Sequence, residues 1–365
     1  MSYKIGAFLA LALVVLAFPL EAALAGDGSV QGKVISKTTG EPVSGQLVLL
    51  HVSRSDGTAL PNPETTTSPE GSFAFEDVDL APGNQLALCA TYQGAMYHDP
   101  FEAPSDGSPV SRDLAVYEAT ASDEAISLGA VHMIFYPDPK QRTVQVEEFL
   151  MFQNSGDRTY IGAGEEGKGN PGETLHFTLP EGASNLMLHQ GLSNEEVQQH
   201  EGGFCSTAPM YPGQQNIVYT YVLPYSGKGT LRLQRPLDYR PAEVVVMTAG
   251  NQGQLTGQGI VSQGPVTLQG EEYKEYGVYQ ATLSPSQTAL DLELSGLGGG
   301  APGSAVGGNI KVLAGGATGL GLVGGLFFAL VLKLRRATAL AAAVTPRHPS
   351  RDMAEEEQDN DDPGQ

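Results

Sequence analysis

Between residues 26 and 310 apolar and polar positions alternate in short runs, a period of two that predicts β-strands and no sustained helix. In the first half the runs are Val30-Gln31-Gly32-Lys33-Val34-Ile35, Gln46-Leu47-Val48-Leu49-Leu50, Ser72-Phe73-Ala74-Phe75, Leu86-Ala87-Leu88-Cys89-Ala90 and Asp113-Leu114-Ala115-Val116-Tyr117. Thr39-Gly40, Asp56-Gly57, Glu70-Gly71, Pro82-Gly83 and Asp106-Gly107 punctuate them. Glycine reaches the positive φ a tight reversal needs, so these pairs predict turns. The second half, from about Ile126 to Gly296, has longer runs: Thr143–Phe149, Leu175–Pro180 and Asn216–Val222. Asn154-Ser155-Gly156-Asp157 breaks the first of these, and Pro212-Gly213, Pro224 and Pro285 mark strand ends or edges, because proline cannot donate into an interior ladder. Alternation with turns about every 8 to 12 positions predicts β-sandwiches.

Two segments break the pattern by being apolar throughout. Residues 5–18 follow Lys4 and lead to Ala23-Leu24-Ala25, the layout of a secretory leader cleaved after Ala25. Residues 312–332 carry no charge and stop at Lys333-Leu334-Arg335-Arg336; as a helix they reach about 31 Å, one hydrocarbon core. Basic residues after a span hold that end in the cytoplasm, so the segment before it is expected outside. The expected fold class is all-β: two β-sandwich domains plus one C-terminal transmembrane helix. The expected order is a leader (1–25), a first sandwich (26–122), a second sandwich (123–296), a Gly-rich linker (297–311), the span (312–332) and an acidic cytoplasmic tail without a packed core (333–365).

Charge narrows the partners. Residues 26–310 hold 33 acidic against 13 basic side chains, a balance of −20 that repels phosphate backbones and argues against nucleic acid. An acidic solvated surface accounts for it, and a basic partner or cations would be attracted. The two cysteines, Cys89 and Cys205, fall in different predicted sandwiches. Export would permit a disulfide between them, and two buried thiols fit as well. Neither lies in a Cys-x-x-Cys pair, so thiol exchange and covalent haem attachment find no support.

The first half carries a resemblance. Gly32-Lys33-Val34, Thr39-Gly40-Glu41-Pro42-Val43-Ser44-Gly45, Val48-Leu49-Leu50, Ser68-Pro69-Glu70-Gly71-Ser72-Phe73-Ala74-Phe75 and the Leu86–Tyr92 run follow one another in the order of a carboxypeptidase regulatory-like domain. The resemblance covers about residues 28 to 120. It implies a transthyretin-like, Ig-like sandwich with an accessory or adhesive role, and it brings no catalytic residue with it. In the second half Glu148…Asn154…Asp157-Arg158-Thr159-Tyr160, Leu179-Pro180-Glu181-Gly182-Ala183 and Tyr221-Val222-Leu223-Pro224-Tyr225 loosely resemble an extracytoplasmic β domain of bacterial membrane-anchored proteins, some of which accompany cytochrome maturation.

Catalytic constellations are missing from the sequence. His51, His98, His132, His176, His189 and His200 form no zinc-peptidase spacing, and neither Gly-x-Ser-x-Gly nor a phosphate-cradling glycine loop occurs. Adjacent carboxylates such as Glu147/Glu148 and Glu195/Glu196 point to opposite faces of a strand and read as surface charges. The tyrosines Tyr219, Tyr221, Tyr225, Tyr273, Tyr276 and Tyr279 offer either a sugar-stacking platform or cross-strand packing. Met96/His98, Met187/His189 and His132/Met133, with Cys89 near the first pair, make up a copper-type ligand set, or ordinary core filler and solvated histidines. Within the span, Gly315, Gly319, Gly321, Gly324 and Gly325 fit the small-xxx-small spacing of packed membrane helices, although glycine is also common in spans. The expected protein has no enzymatic activity and needs no cofactor. It is anchored by its single span and presents its sandwiches to a protein partner or an envelope polymer, or serves as a subunit of a membrane complex. The alternative is an accessory factor in copper or cytochrome assembly.

Overall fold

The computed structural model describes residues 27–164, 172–225, 229–250, 252–267 and 275–298. These residues are all-β, with no helix among them. None of their elements is therefore a helix long and apolar enough to cross a membrane. The expected leader (1–25), most of the linker (297–311), the expected span (312–332) with Gly315, Gly319, Gly321, Gly324 and Gly325, and the expected tail (333–365) lie outside the described residues.

The first core is enclosed by β1 (Asp27–Ser36), β2 (Leu47–Ser53), β3 (Glu64–Thr66), β4 (Ser72–Asp79), β5 (Gln85–Tyr92), β6 (Ala95–Glu102), β7 (Val110–Ser111) and β8 (Leu114–Val116). Each of the five alternating runs read in the first half lies on a strand. One sheet has the order β4-β1-β7, with β8 also paired to β1, and the other has the order β3-β2-β5-β6. Val30 and Val34, Val48, Leu50 and Val52, Phe73 and Phe75, Leu86 and Leu88, and Leu114 and Val116 meet between the layers. This is the inward half of each period-two pattern.

Two glycines of these blocks are fixed by close approach. A side chain at Gly32 would strike the Arg112 carbonyl oxygen at 1.9 Å, where β1 runs parallel to the β7 segment. Gly71 turns the chain into β4 at φ +74°, and a Cβ there would lie 2.7 Å from the Pro42 side chain. The Glu70-Gly71 turn thus lies close against the turn at residues 39–42, with no room for a side chain between them.

The short β9 (Ala119–Thr120) leads to the second core, formed by β10 (Ile126–Asp138), β11 (Thr143–Asn154), β12 (Thr159–Tyr160), β13 (Leu175–Thr178), β14 (Ser184–Gln190), β15 (Val197–His200), β16 (Gly203–Ser206), β17 (Gly213–Pro224), β18 (Thr230–Pro236), β19 (Pro241–Ala249), β20 (Gln254–Gly257), β21 (Ile260–Thr267), β22 (Glu275–Ala281) and β23 (Ala289–Ser295). A seven-stranded sheet, β14-β17-β11-β10-β19-β22-β21, is antiparallel except at β10–β19. Two three-stranded sheets, β13-β16-β15 and β18-β23-β20, contribute Leu175, Phe177, Phe204, Leu231, Leu290, Leu292 and Leu294 to the same core as Val146, Phe152 and Tyr219 of the large sheet. Strands β10 and β19 lie at its centre. Val131 to Phe135 and Val244 to Ala249 are buried without a break, so neither strand alternates.

The two cores join closely. β9 pairs in parallel with β12, Thr38 donates to the Asp157 carbonyl at 2.6 Å, and the Tyr97 hydroxyl lies 2.9 Å from both the Tyr117 carbonyl and the Thr159 hydroxyl. The Tyr211 hydroxyl donates to the Met96 carbonyl, and its ring packs edge-on against Tyr97 at 5.4 Å. Ile161 and Tyr211 of the second half thus pack on the first core.

Candidate functional site

Strand β11 buries every second residue: Val144, Val146, Glu148, Leu150, Phe152 and Asn154. Parity therefore carries a carboxylate into the centre of the second core. Glu148 is 0% exposed, which corrects its reading as a surface charge. Arg235 of β18 meets it with Nε at 2.8 Å and Nη2 at 2.9 Å, a bidentate pair. The Tyr219 and Tyr221 hydroxyls of β17 donate to the same carboxylate at 2.8 and 2.7 Å. Arg235 also donates to the Thr178 carbonyl of β13 at 3.0 Å and to the Pro236 carbonyl.

Burial pushes both phenols well above their ordinary range, and the Glu148 charge adds to it. For Arg235 burial is the largest single influence and acts in the opposite direction, but Glu148, by attraction and hydrogen bond, and the two phenols together outweigh it and hold the guanidinium charged. The network ties the large sheet to both smaller ones. Its donors and acceptors face one another inside the core, so its chemistry is that of a structural clamp.

The tyrosines read as a possible sugar platform are mostly interior. Tyr219, Tyr221, Tyr276 and Tyr279 are buried, and the Tyr225 hydroxyl donates to the Leu297 carbonyl at 3.2 Å. A ring inside a core cannot stack on a saccharide, so these four are packing residues. Tyr273 lies outside the described residues.

The metal-type pairs separate from one another. His132 is buried and stacks on Phe149 at 6.0 Å, while Met133 points into the opposite layer. Met187 is 42% exposed on β14, and the His189 ring, its pKa lowered by burial, lies 3.0 Å from the Thr220 hydroxyl. Cys205 is buried on β16 opposite His176, and its thiol donates to Glu173 at 3.4 Å; burial and that carboxylate both raise its pKa. Both cysteines are free thiols. Among the described residues no three His, Cys, Asp or Glu side chains gather as a metal site.

The remaining pair lies on the outer face of the β3-β2-β5-β6 sheet. Met96 is 63% exposed on β6, and His98, two residues on, is exposed on the same face. Cys89, half-buried on β5, stands directly opposite His98. Leu49 of β2 flanks Cys89 on its other side, and Leu47, 44% exposed, continues the row. This open face gathers two of the four large apolar side chains that are exposed among the described residues. Compared with known proteins, the chain matches no family model, and no curated protein matches it.

Proposed function

We propose that the chain is a membrane-anchored extracytoplasmic binding or structural protein, without enzymatic activity, that presents its sandwiches to a protein partner or an envelope polymer. The observation that carries this reading is the contrast in where polar chemistry lies. The most strongly perturbed ionisable groups, around Glu148, are spent inside the second core. The open face of the first sandwich displays Leu47 and Met96 to solvent.

The anchor rests on residues 312–332 and the basic stop after them, and the exported side rests on the leader-like start. In this reading the first sandwich is a regulatory-like, transthyretin-type module. Its support is that the blocks carrying the resemblance fall in order on β1, β2, β4 and β5 and on the turns between them. Close joining of the sandwiches suits a presenting role, because a partner held by one is held at a fixed angle to the other.

The test is site-specific photo-crosslinking in intact cells, with the probe at position 47 on the open face and, as a reference, at position 234, an exposed site on β18. One discrete adduct from position 47 that is absent from position 234, together with protease shaving of the sandwiches from spheroplasts, is expected. Equal labelling from both positions, or sandwiches shielded from external protease, overturns the reading.

A further inference from the structure

We infer that Cys89, His98 and Met96 form a binding site for a soft monovalent metal ion, Cu(I), on the open face of the first sandwich. The inference goes beyond the presenting role and does not depend on it. The three side chains come from two neighbouring strands in one register. Cys89 is the cross-strand partner of His98, and Met96 pairs with Thr91, one step along the same face. Directly opposed residues hold their Cβ atoms about 4.5–5.5 Å apart, and diagonal neighbours about 7–8 Å apart, within reach of a long side chain. Methionine, with three rotatable bonds, closes the longer gap. Thiolate, imidazole and thioether are donors that favour Cu(I) over hard cations.

The surroundings suit this metal as well. Leu49 and Leu47 border the thiol on the β2 side, giving an apolar margin that limits water. Met96 is the most exposed large apolar side chain among the described residues, so its thioether is accessible to an incoming ion. The Tyr211 hydroxyl bonds to the Met96 carbonyl and fixes the backbone that carries the thioether. Coordination exchanges the Cys89 thiol proton for the metal: one sulfur–copper bond forms, one proton passes to solvent, and no electron is transferred.

The other cysteine makes a poorer site. Cys205 also faces a histidine, His176, but it lies buried with a carboxylate hydrogen-bonded to its thiol.

Full-length protein in mild detergent with ascorbate, titrated with Cu(I) against bicinchoninate, provides the test. One equivalent per chain is expected, with a thiolate-to-copper band in the near ultraviolet. Cys89→Ser should abolish capture, His98→Ala and Met96→Leu should each weaken it at least tenfold, and Cys205→Ser should leave it unchanged. Circular dichroism verifies that each variant is folded. Should Cys89→Ser fail to fold, Cu(I) is expected to slow alkylation of Cys89 in the wild-type chain at least tenfold while leaving Cys205 unaffected. No capture from bicinchoninate, capture that survives Cys89→Ser, alkylation of Cys89 unchanged by Cu(I), or loss on Cys205→Ser would each overturn the inference.

Discussion

The two cores treat polarity in opposite ways. In the first, the core is apolar, built from Val30, Leu50, Phe73, Phe75 and Leu88, and the unusual chemistry stands outside it at Cys89, Met96 and His98. In the second, a charged pair and two phenols lie at the centre, where the large sheet meets both smaller ones. An apolar core within residues 27–116 can close on two four-stranded layers. The larger half must align three separate sheets, and a hydrogen-bonded network that fits in only one arrangement supplies direction that apolar contact lacks. Polar residues inside the second half thus serve its architecture, while those outside the first half remain available to a ligand.

The sharpest way to break this comparison is to remove one half of the pair. Arg235→Ala strands Glu148 in the core and is expected to destabilise the second sandwich by about 3–5 kcal/mol in denaturant unfolding. Replacing Glu148 and Arg235 by Leu and Met, with Tyr219 and Tyr221 changed to Phe, should restore part of that loss, because the carboxylate, guanidinium and phenols leave together and only the Thr178 and Pro236 carbonyls lose a donor. Hydrogen exchange of the first core, at Leu50 and Leu88, should not change with Arg235→Ala. A loss below about 1 kcal/mol would mean the network has no structural weight.

The matching test in the first sandwich has nothing to do with charge. Gly71→Ala places a side chain at φ +74° and within 2.7 Å of Pro42. It is expected to cost about 1–3 kcal/mol, read as a lower denaturant midpoint. A neutral result would show that the two turns can separate freely, and that the close approach between the blocks of the resemblance is incidental.

Much of this division could be read from the sequence. The turn pairs ending in Gly40, Gly57, Gly71, Gly83 and Gly107 all reach positive φ, and the five first-half runs all became strands. Strands β10 and β19 were missed because burial on both faces removes alternation, leaving continuous apolar runs such as Val244-Val245-Val246-Met247. The burial of Glu148, by contrast, has a signal in the sequence. With Val144 and Val146 inward, a period of two puts position 148 inward too, and here parity prevails over the general preference of a carboxylate for the surface. Its partner Arg235 lies 87 residues away on a strand that was not recognised, so the pair could not be read from local pattern. The register that sets Cys89 opposite His98 depends on the β5–β6 turn, where Gln93 adopts φ +49° and Gly94 φ +86°. Neither residue was singled out as a turn.

The junction offers a gentler test of how far the two halves act together. Tyr97→Phe removes one hydroxyl that serves the Tyr117 carbonyl and Thr159, and is expected to cost about 0.5–1.5 kcal/mol. Amide exchange at residues 157–161 should quicken, while the core around Glu148 keeps its protection. If exchange rises equally throughout, the sandwiches unfold as one unit and the comparison between them holds only for chemistry.

The smallest effect expected is a pH dependence at the same junction. Glu118 follows β8 and accepts from the Tyr92 hydroxyl at 2.6 Å, from Gln93 and from Ser36, with Arg158 of the second half contributing attraction. The Tyr92 hydrogen bond leads in holding this carboxyl below its ordinary 4.5, against a smaller opposing effect of burial. A carboxyl lowered in the folded state stabilises above its unfolded value, and that contribution disappears as pH falls through the folded value. The junction should therefore loosen only on acidification below about pH 4.5, by well under 1 kcal/mol, since the group is half-buried and still reached by solvent. Glu118→Gln should flatten this acid limb of the unfolding profile and leave stability at pH 7 slightly reduced. An acid limb of the same size in Glu118→Gln would assign the dependence to other carboxylates and leave the junction insensitive to pH.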